Sequence, residues 1–289
     1  MDEIIYLNGS LVPIDQANIS ALDYGFLYGY GLFETMRSYA GNIFLLDRHL
    51  ERLSCAAKTI GISLKELNIK EGVMETLKVN KLGDARIRIT VSAGRGTIVP
   101  NPDSCTEPTV LIFATHLQSY SEQVYNRGYK AIISNIRRNS QSFLSSVKSA
   151  NYLESIIAKQ EAKRAGMDEA LFLNDRGLLA EASMSNIFLV KNNLLRTPSI
   201  SNGILPGITR ETVLQLASKL RIRANEDDIE LAELLQSQEA FLTNSLIEIM
   251  PLVSVADKII NTGKPGSTTM KLLHAYHELA TKPWGGYSD

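Results

Sequence analysis

The chain has 289 residues, 44% of them hydrophobic and 21% charged, with a formal net charge of -1. That is enough apolar material for a full core in one large or two ordinary domains. The near-neutral balance excludes a general attraction to nucleic acid or to an anionic membrane, and no apolar run reaches the roughly 18–20 residues that span a bilayer.

The opening MDEIIYLNGS is acidic and lacks an apolar h-region, so no signal peptide is expected. Asn8-Gly9 between two apolar runs predicts a hairpin. The Gly-rich aromatic segment DYGFLYGYGLFETMRSYAGNIFLL alternates in its second half as strands do, with a turn expected at Gly41-Asn42. Asp47 is expected to cap a helix through HLERLSCAAKTI, with Leu50, Leu53, Ala57 and Ile60 on one face and Gly61 as its stop. LKELNIKEGVMETLKVNKLG reads as further helix, and ARIRITVSAG and PTVLIFATHL read as strands. The polar, unperiodic QSYSEQVYNRG reads as a linker.

Beyond it, YKAIISNIRR is a strand, and NYLESIIAKQEAKRAG a helix with Leu153, Ile156 and Ile157 inward and Gly166 at its end. EALFLNDRGLLAEAS and NIFLVKNNLLRTP read as hairpins, turning at Asp175-Arg176-Gly177 and Asn192-Asn193. ITRETVLQLASKL is a helix after Pro206-Gly207, LAELLQSQ a short helix, QEAFLTNS a strand and STTMKLLHAYHEL a last helix. Short strands with helices interspersed argue for two α+β domains, the first smaller.

Five places can carry chemistry. Lys148 stands among small polar residues in SSVKSANYLESI, where it is either an exposed loop lysine or an amine freed for nucleophilic work by its surroundings. GILPGITRETVLQL opens a helix at Ile208 and Thr209, either an ordinary helix start or an anion site made by unpaired N–H groups and the dipole. TNSLIE offers the donors Thr243, Asn244 and Ser245 at a strand end. Glu181 interrupts an apolar strand, LLAEAS, and either faces water from an edge or is buried against a cationic or proton-bearing partner. Arg52, in HLERL, is either solvated or reaches a phosphate with its planar fork. Pyridoxal 5'-phosphate would unify these places: its aldehyde takes a lysine, its ring nitrogen an acid, its phosphate an arginine and N–H donors. Cys55 and Cys105 make neither a disulfide framework nor a metal cluster, and reduced thiols of a cytoplasmic protein are expected. His49, His116, His274 and His277 show no ligand spacing, so no metal is expected.

The blocks YLNGSLVP, DYGFLYGYGLFETMR, HLERL, KSANYLESIIAKQEA, EALFLNDRGLLAEASMSNIFLV, NGILPGITRETVLQLA and GKPGSTTMKLL stand in the order and spacing of one family. Over nearly its whole length the chain resembles the class IV aminotransferases, the fold-type IV pyridoxal-phosphate enzymes. The resemblance implies a small α/β domain over residues 1–118, a linker at 119–128 and a larger cofactor-binding pseudo-barrel domain over 129–289, with the site between the domains. It implies a homodimer acting on a small amino-carboxylate. It makes Lys148 the Schiff-base lysine, Glu181 the partner of the pyridine nitrogen, and Arg52, Ile208, Thr209 and Ser245 the phosphate ligands. Tyr152 is implied at the cofactor's phenolic oxygen, across a one-residue gap in the match.

Within the family, Thr35 in GLFETMR is typical of aminodeoxychorismate lyases, and ARIRITVSAG, IRRN and TNSLIEIMPL are similar to the lyases of the Gram-positive type. Arg88 falls where a cation can hold a substrate carboxylate. Arg137 or Arg138 is a candidate for a second carboxylate, and Tyr28 is a further substrate-binding candidate. SAGRGTIVPNP departs from the arginine-bearing loop of some lyases. The expected reaction converts 4-amino-4-deoxychorismate to p-aminobenzoate and pyruvate, in folate synthesis, with Thr35 relaying a proton. The alternative is an aminotransferase on branched-chain or other amino acids with 2-oxoglutarate and glutamate. D-amino acid transamination and a silent cofactor-binding scaffold remain behind these.

Overall fold

The structure, a computed structural model, describes residues 3–65 and 67–282; the last seven residues of the expected second domain lie outside it. The chain forms two compact units. One takes the described residues up to Gln118 together with Val147–Asn151; the other takes Ser119–Ser146 and Tyr152–Lys282.

The first unit is built on strands β1 (Ile4–Leu7), β2 (Ser10–Pro13), β3 (Gly31–Tyr39), β4 (Asn42–Ile43), β5 (Ala85–Ser92) and β6 (Thr109–His116). Their order is β2-β1-β6-β5-β3-β4, and the pairings are antiparallel. Asn8 and Gly9 take φ of 47° and 93°, the left-handed turn that the Asn-Gly pair favours. The β3–β4 turn falls one residue earlier than expected, at Ala40 and Gly41. Helix α1 (Tyr24–Tyr28), unforeseen in the glycine-rich segment, starts where the Asp23 carboxylate accepts the Gly25 N–H and ends at left-handed Gly29. Helices α2 (Leu46–Thr59) and α3 (Ile69–Val79) pack on one face of the sheet. Leu53, Ala57, Val73 and Leu77 meet Leu32, Met36, Ile87 and Ile89 there. Asp47 lies inside the first turn of α2, makes no cap, and pairs with Lys70 at 2.6 Å.

The second unit holds α4 (Glu122–Arg127), β7 (Tyr129–Arg138), α5 (Phe143–Ser146), α6 (Leu153–Arg164), β8 (Glu169–Asn174), β9 (Leu179–Ala182), β10 (Asn186–Lys191) and β11 (Leu194–Pro198). It continues with α7 (Ile208–Lys219), β12 (Ala224–Asp227), α8 (Leu231–Leu235), β13 (Glu239–Asn244), β14 (Glu248–Val255), β15 (Lys258–Ile259) and α9 (Ser267–Thr281). The sheet runs β12-β11-β10-β13-β14-β7-β8-β9, with β15 beside β14. It is mixed: β7 lies parallel to both β14 and β8, and β11 parallel to β12. Its ends curl together, since the Leu179 N–H of β9 donates to the Ile229 carbonyl just past β12 at 2.8 Å.

Two expectations change in this unit. The stretch expected as linker contains α4, whose Val124 and Tyr125 pack on the second core. Helix α6 is turned the other way. It buries Ser155, Ala158 and Ala162, and leaves Leu153, Ile156 and Ile157 at 70%, 47% and 39% exposure. Small residues bring α6 close against β7 and β8, so the large apolar ones are displaced outward.

The first core also holds charge. Between Phe33 and Thr35, Glu34 turns to the helical side and is 1% exposed. Arg52 grips it with two hydrogen bonds, Nε to Oε1 at 2.8 Å and Nη2 to Oε2 at 2.7 Å, and His49 Nδ1 lies 2.7 Å from Oε2. Burial disfavours the Glu34 carboxylate, but the Arg52 charge and the hydrogen bonds from His49 and Arg52 outweigh it and hold its pKa down to about 2. Burial lowers His49 below its usual value, against the hydrogen bond and charge of Glu34. Neutral His49 beside an ionised carboxylate must carry its proton on Nδ1 and donate it.

Both groups are depressed in the fold, so each contributes stability that is present at high pH and lost on acidification. His49 loses its share as pH falls below 6.5, and Glu34 loses its share between 4.5 and about 2. Chemical denaturation at pH 7, 5 and 3 therefore shows falling stability. Glu34→Gln is roughly 3–5 kcal/mol less stable at neutral pH, because it strands a largely buried guanidinium, and its acid limb is flatter.

Candidate active site

Lys148 lies, by sequence, among the elements of the second unit, yet the first unit holds it. Residues 147–151 run antiparallel along β3: Phe33 N–H donates to the Lys148 carbonyl at 2.9 Å, Ala150 N–H to the Gly31 carbonyl at 2.8 Å, and Leu32 and Ser149 form a bridge. Gly31 is needed on the opposite side of the strand, where a Cβ would stand 2.7 Å from the Val91 carbonyl oxygen. The Asn151 amide donates to the Gly29 carbonyl at 3.0 Å and pins the end of the segment.

This pairing brings the Lys148 Nζ to 4.5 Å from the centre of the Phe33 ring, and Arg88 Cζ lies 4.0 Å from the same ring. In register Phe33 faces Thr90, Thr35 faces Arg88 and Arg37 faces Arg86. Strand alternation sends these residues to the sheet face away from the helices. One face thus gathers an amine, the Thr35 hydroxyl and several guanidinium groups, a setting for a substrate bearing carboxylates. Tyr28 stands 41% exposed, edge-on to Tyr24 at 4.8 Å, and its hydroxyl donates to the Ile98 carbonyl. The Tyr24 hydroxyl bonds to the Thr97 and Val99 carbonyls, so the two tyrosines staple the loop SAGRGTIVPNP to α1.

In the second unit Glu181 is buried, not turned to water from an edge. Its Oε2 accepts the Leu205 N–H at 3.1 Å and lies 3.5 Å from the Asn186 amide nitrogen, while Oε1 stands 3.7 Å from Arg138 Nη2. Arg138 has partners other than the substrate carboxylate expected for it. It donates to Glu154 at 2.9 Å and to Ser155 at 3.0 Å, with its guanidinium 4.3 Å over the Phe172 ring. It thereby compensates the buried charge of Glu181. The Tyr152 hydroxyl donates to the Ser183 carbonyl at 3.2 Å, and the Ser183 hydroxyl donates to buried Glu169.

Ile208 and Thr209 open α7, whose N-cap is Gly207 and whose first turn has no side-chain cap. A Cβ at Gly207 would stand 2.0 Å from Asn186 Oδ1, so any larger residue there requires the Asn186 side chain to move. Ser245 follows β13 in a turn shaped by Asn244 Oδ1, which accepts the Leu246 and Ile247 N–H groups at 2.8 and 3.0 Å. Next to it, Thr243 Oγ1 is buried and has no hydrogen-bond partner among the described residues. A buried hydroxyl without a protein partner, beside an uncapped helix start, suits an anionic group that would satisfy both. In the second unit the compensated glutamate and this donor set suit the ring nitrogen and the phosphate of pyridoxal phosphate; in the first, Lys148 offers an amine of the kind its aldehyde takes.

Sequence reasoning missed Glu34 and Phe33, and it singled out Thr243 only as one of three donors at a strand end. The signal for Glu34 was available, because it alternates with Leu32 and Met36 on a strand and so falls on their apolar face. Among the described residues no group of side chains has metal-ligand geometry.

Comparison with known proteins gives this arrangement its family. The profile of amino-transferase class IV matches residues 31–255. A putative branched-chain-amino-acid aminotransferase of Methanocaldococcus jannaschii is 39% identical over 97% of this chain and 97% of its own. The aminodeoxychorismate lyase of Bacillus subtilis is 35% identical over 97% of this chain and 99% of its own. Among solved structures, the T.th. branched-chain amino acid aminotransferase with pyridoxamine 5'-phosphate superposes with a TM-score of 0.91 at 27% identity, covering 98% of this chain and 96% of that one. The chain belongs to the class IV aminotransferase family: it has the α+β fold of the fold-type IV enzymes, and its cofactor is pyridoxal 5'-phosphate.

Proposed function

We propose that the protein is a lyase that converts 4-amino-4-deoxychorismate to p-aminobenzoate and pyruvate. The observation that carries this reading is the Thr35 hydroxyl, set directly across from Arg88 on the sheet face where the Lys148 amine rests. The substrate is a dicarboxylate whose enolpyruvyl group must leave with a proton, and that face offers cations and a hydroxyl. The 35% identity to a lyase supports the same reading.

Pyridoxal phosphate, when bound, joins the substrate amine and draws electrons from the bonds of the adjacent carbon. In this reading Arg52, the first N–H groups of α7 and the hydroxyls of Thr209 and Ser245 hold the phosphate. Glu181 holds the proton on the ring nitrogen, and Tyr152 meets the phenolic oxygen. Arg88 orients a substrate carboxylate, and Tyr28 borders the substrate through the loop it staples. The Lys148 amine removes the proton from the carbon that bears the substrate amine. Thr35 passes a proton to the departing enolpyruvyl group.

A second reading is transamination of branched-chain or other amino acids, favoured by the 39% identity to a protein named for that activity. There Lys148 would return its proton to the cofactor, Arg88 would bind the side-chain carboxylate of glutamate, and Thr35 would be dispensable. In either case we read the protein as a homodimer. The outward Leu153, Ile156 and Ile157 of α6, with Phe143 and Leu144 both 48% exposed on α5, leave an apolar surface of the kind a partner covers. We place it in the cytoplasm on its two free thiols, Cys55 and Cys105. No described helix is long and apolar enough to cross a membrane.

Freshly made aminodeoxychorismate, supplied without any keto acid, is expected to give catalytic p-aminobenzoate fluorescence. Product that appears only from amino donors with 2-oxoglutarate would move the assignment to the transferase. Thr35→Val is expected to lower lyase kcat by about a hundredfold or more, the usual worth of a positioned proton donor, with the cofactor absorption unchanged. Gly207→Ala is expected to weaken pyridoxal phosphate binding at least tenfold, read by absorbance titration of the apoenzyme, because its Cβ drives Asn186 away from the start of α7.

A further inference from the structure

We propose that Glu34 and His49 are positioning residues that preset the Arg52 guanidinium for the cofactor phosphate. The inference rests on the reading of Arg52 as a phosphate ligand.

The geometry is one-sided. The side chains of Glu34 and His49 are 1% and 3% exposed, while that of Arg52 is 17% exposed. Of the three, Arg52 is therefore the member that reaches outward, and the other two form its buried base. Glu34 meets the edge of the fork made by Nε and Nη2, so both the plane of the guanidinium and its rotation are set. His49 holds the same carboxylate at Oε2, which fixes Glu34 in turn. Two of the five donors of Arg52 are committed to this grip.

Stability alone does not call for such an arrangement. Leu32 and Met36, next on the same face of β3, show that apolar side chains fill this core well. A buried ion pair is often no more stabilising than an apolar replacement of similar volume. What the triad supplies is a cation with its orientation settled before the anion arrives, so that less ordering is needed on binding. An ammonium could not substitute, because it has no edge to lock.

The test compares two ligands on the full-length apoenzyme: pyridoxal 5'-phosphate, and pyridoxal, which has the ring and aldehyde but no phosphate. Dissociation constants come from absorbance titration, and inorganic phosphate is added separately to record the shift in melting temperature. In Glu34→Gln the affinity for pyridoxal phosphate is expected to fall roughly 10–100-fold, the usual cost of removing a partner that orients a ligating group. The affinity for pyridoxal should hold within about twofold, and the stabilisation by inorganic phosphate should be lost. Arg52→Lys should behave as Glu34→Gln does. His49→Gln should show a smaller loss in the same direction, and it carries the comparison together with Glu34→Asp if Glu34→Gln does not fold.

Equal losses for both ligands, or no loss in variants that are merely less stable, would overturn the inference and leave the triad a structural feature. If Arg52→Lys and Arg52→Ala both bind pyridoxal phosphate normally, the phosphate role of Arg52 fails first and takes the inference with it. Loss in the Arg52 variants with none in Glu34→Gln or His49→Gln would sink the positioning role alone.

Discussion

Two backbone hydrogen bonds decide where Lys148 stands. Phe33 N–H to the Lys148 carbonyl and Ala150 N–H to the Gly31 carbonyl graft a short piece of chain onto β3, more than a hundred residues earlier. The graft gives the lysine the first unit's sheet as its footing, although β7 before it and α6 after it belong to the second unit. Everything the site asks of this lysine follows from that footing. Its amine rests against the Phe33 ring, the strand register places Thr35 opposite Arg88 beside it, and the hydrogen bonds to β3 hold this irregular segment more closely than a free loop would be held.

The second constraint is the management of buried charge. Glu34, Glu169 and Glu181 are all buried carboxylates on strands, and each is compensated within its own unit. Glu34 has Arg52 and His49, Glu169 has Lys159 at 3.4 Å and the Ser183 hydroxyl, and Glu181 has Arg138 and the Leu205 N–H. Bare burial of a carboxylate would cost several kcal/mol, so each pairing is a condition of the fold. The same pairings hold the side chains around them still. Arg52 cannot swing, Ser183 presents its carbonyl to Tyr152, and Glu181 is held in place beside the start of α7.

Much of this was legible in the sequence where a local rule acts alone. The Asn8-Gly9 turn, the Asn192-Asn193 turn with both residues at positive φ, the start of α7 after Pro206-Gly207 and its length to Lys219 all follow from turn chemistry and helix periodicity. The errors came where packing overrides a local rule. In α6 the large apolar residues suggested the buried face, but the helix approaches its sheet through Ser155, Ala158 and Ala162, and size works against Leu153, Ile156 and Ile157. Asp47 looked like a cap, yet α2 begins one residue before it, from a left-handed Leu45. Helix α1 was hidden because glycines suggested only turns, whereas Asp23 starts it and Gly29 ends it. Chemistry-bearing residues could be singled out by type and neighbours, but their partners could not. The pairing of Arg52 with Glu34, and of Arg138 with Glu181, joins positions 18 and 43 residues apart, and only tertiary structure brings them together.

The central claim is that Lys148 is the residue that bonds to the cofactor, and the most direct test is to fix that bond chemically. Holoenzyme reduced with borohydride, digested and mapped by mass spectrometry is predicted to carry the phosphopyridoxyl group on the peptide that contains Lys148, with Lys148→Ala showing no incorporation. Label on Lys159 or another lysine, or undiminished label in Lys148→Ala, would contradict the account at its foundation.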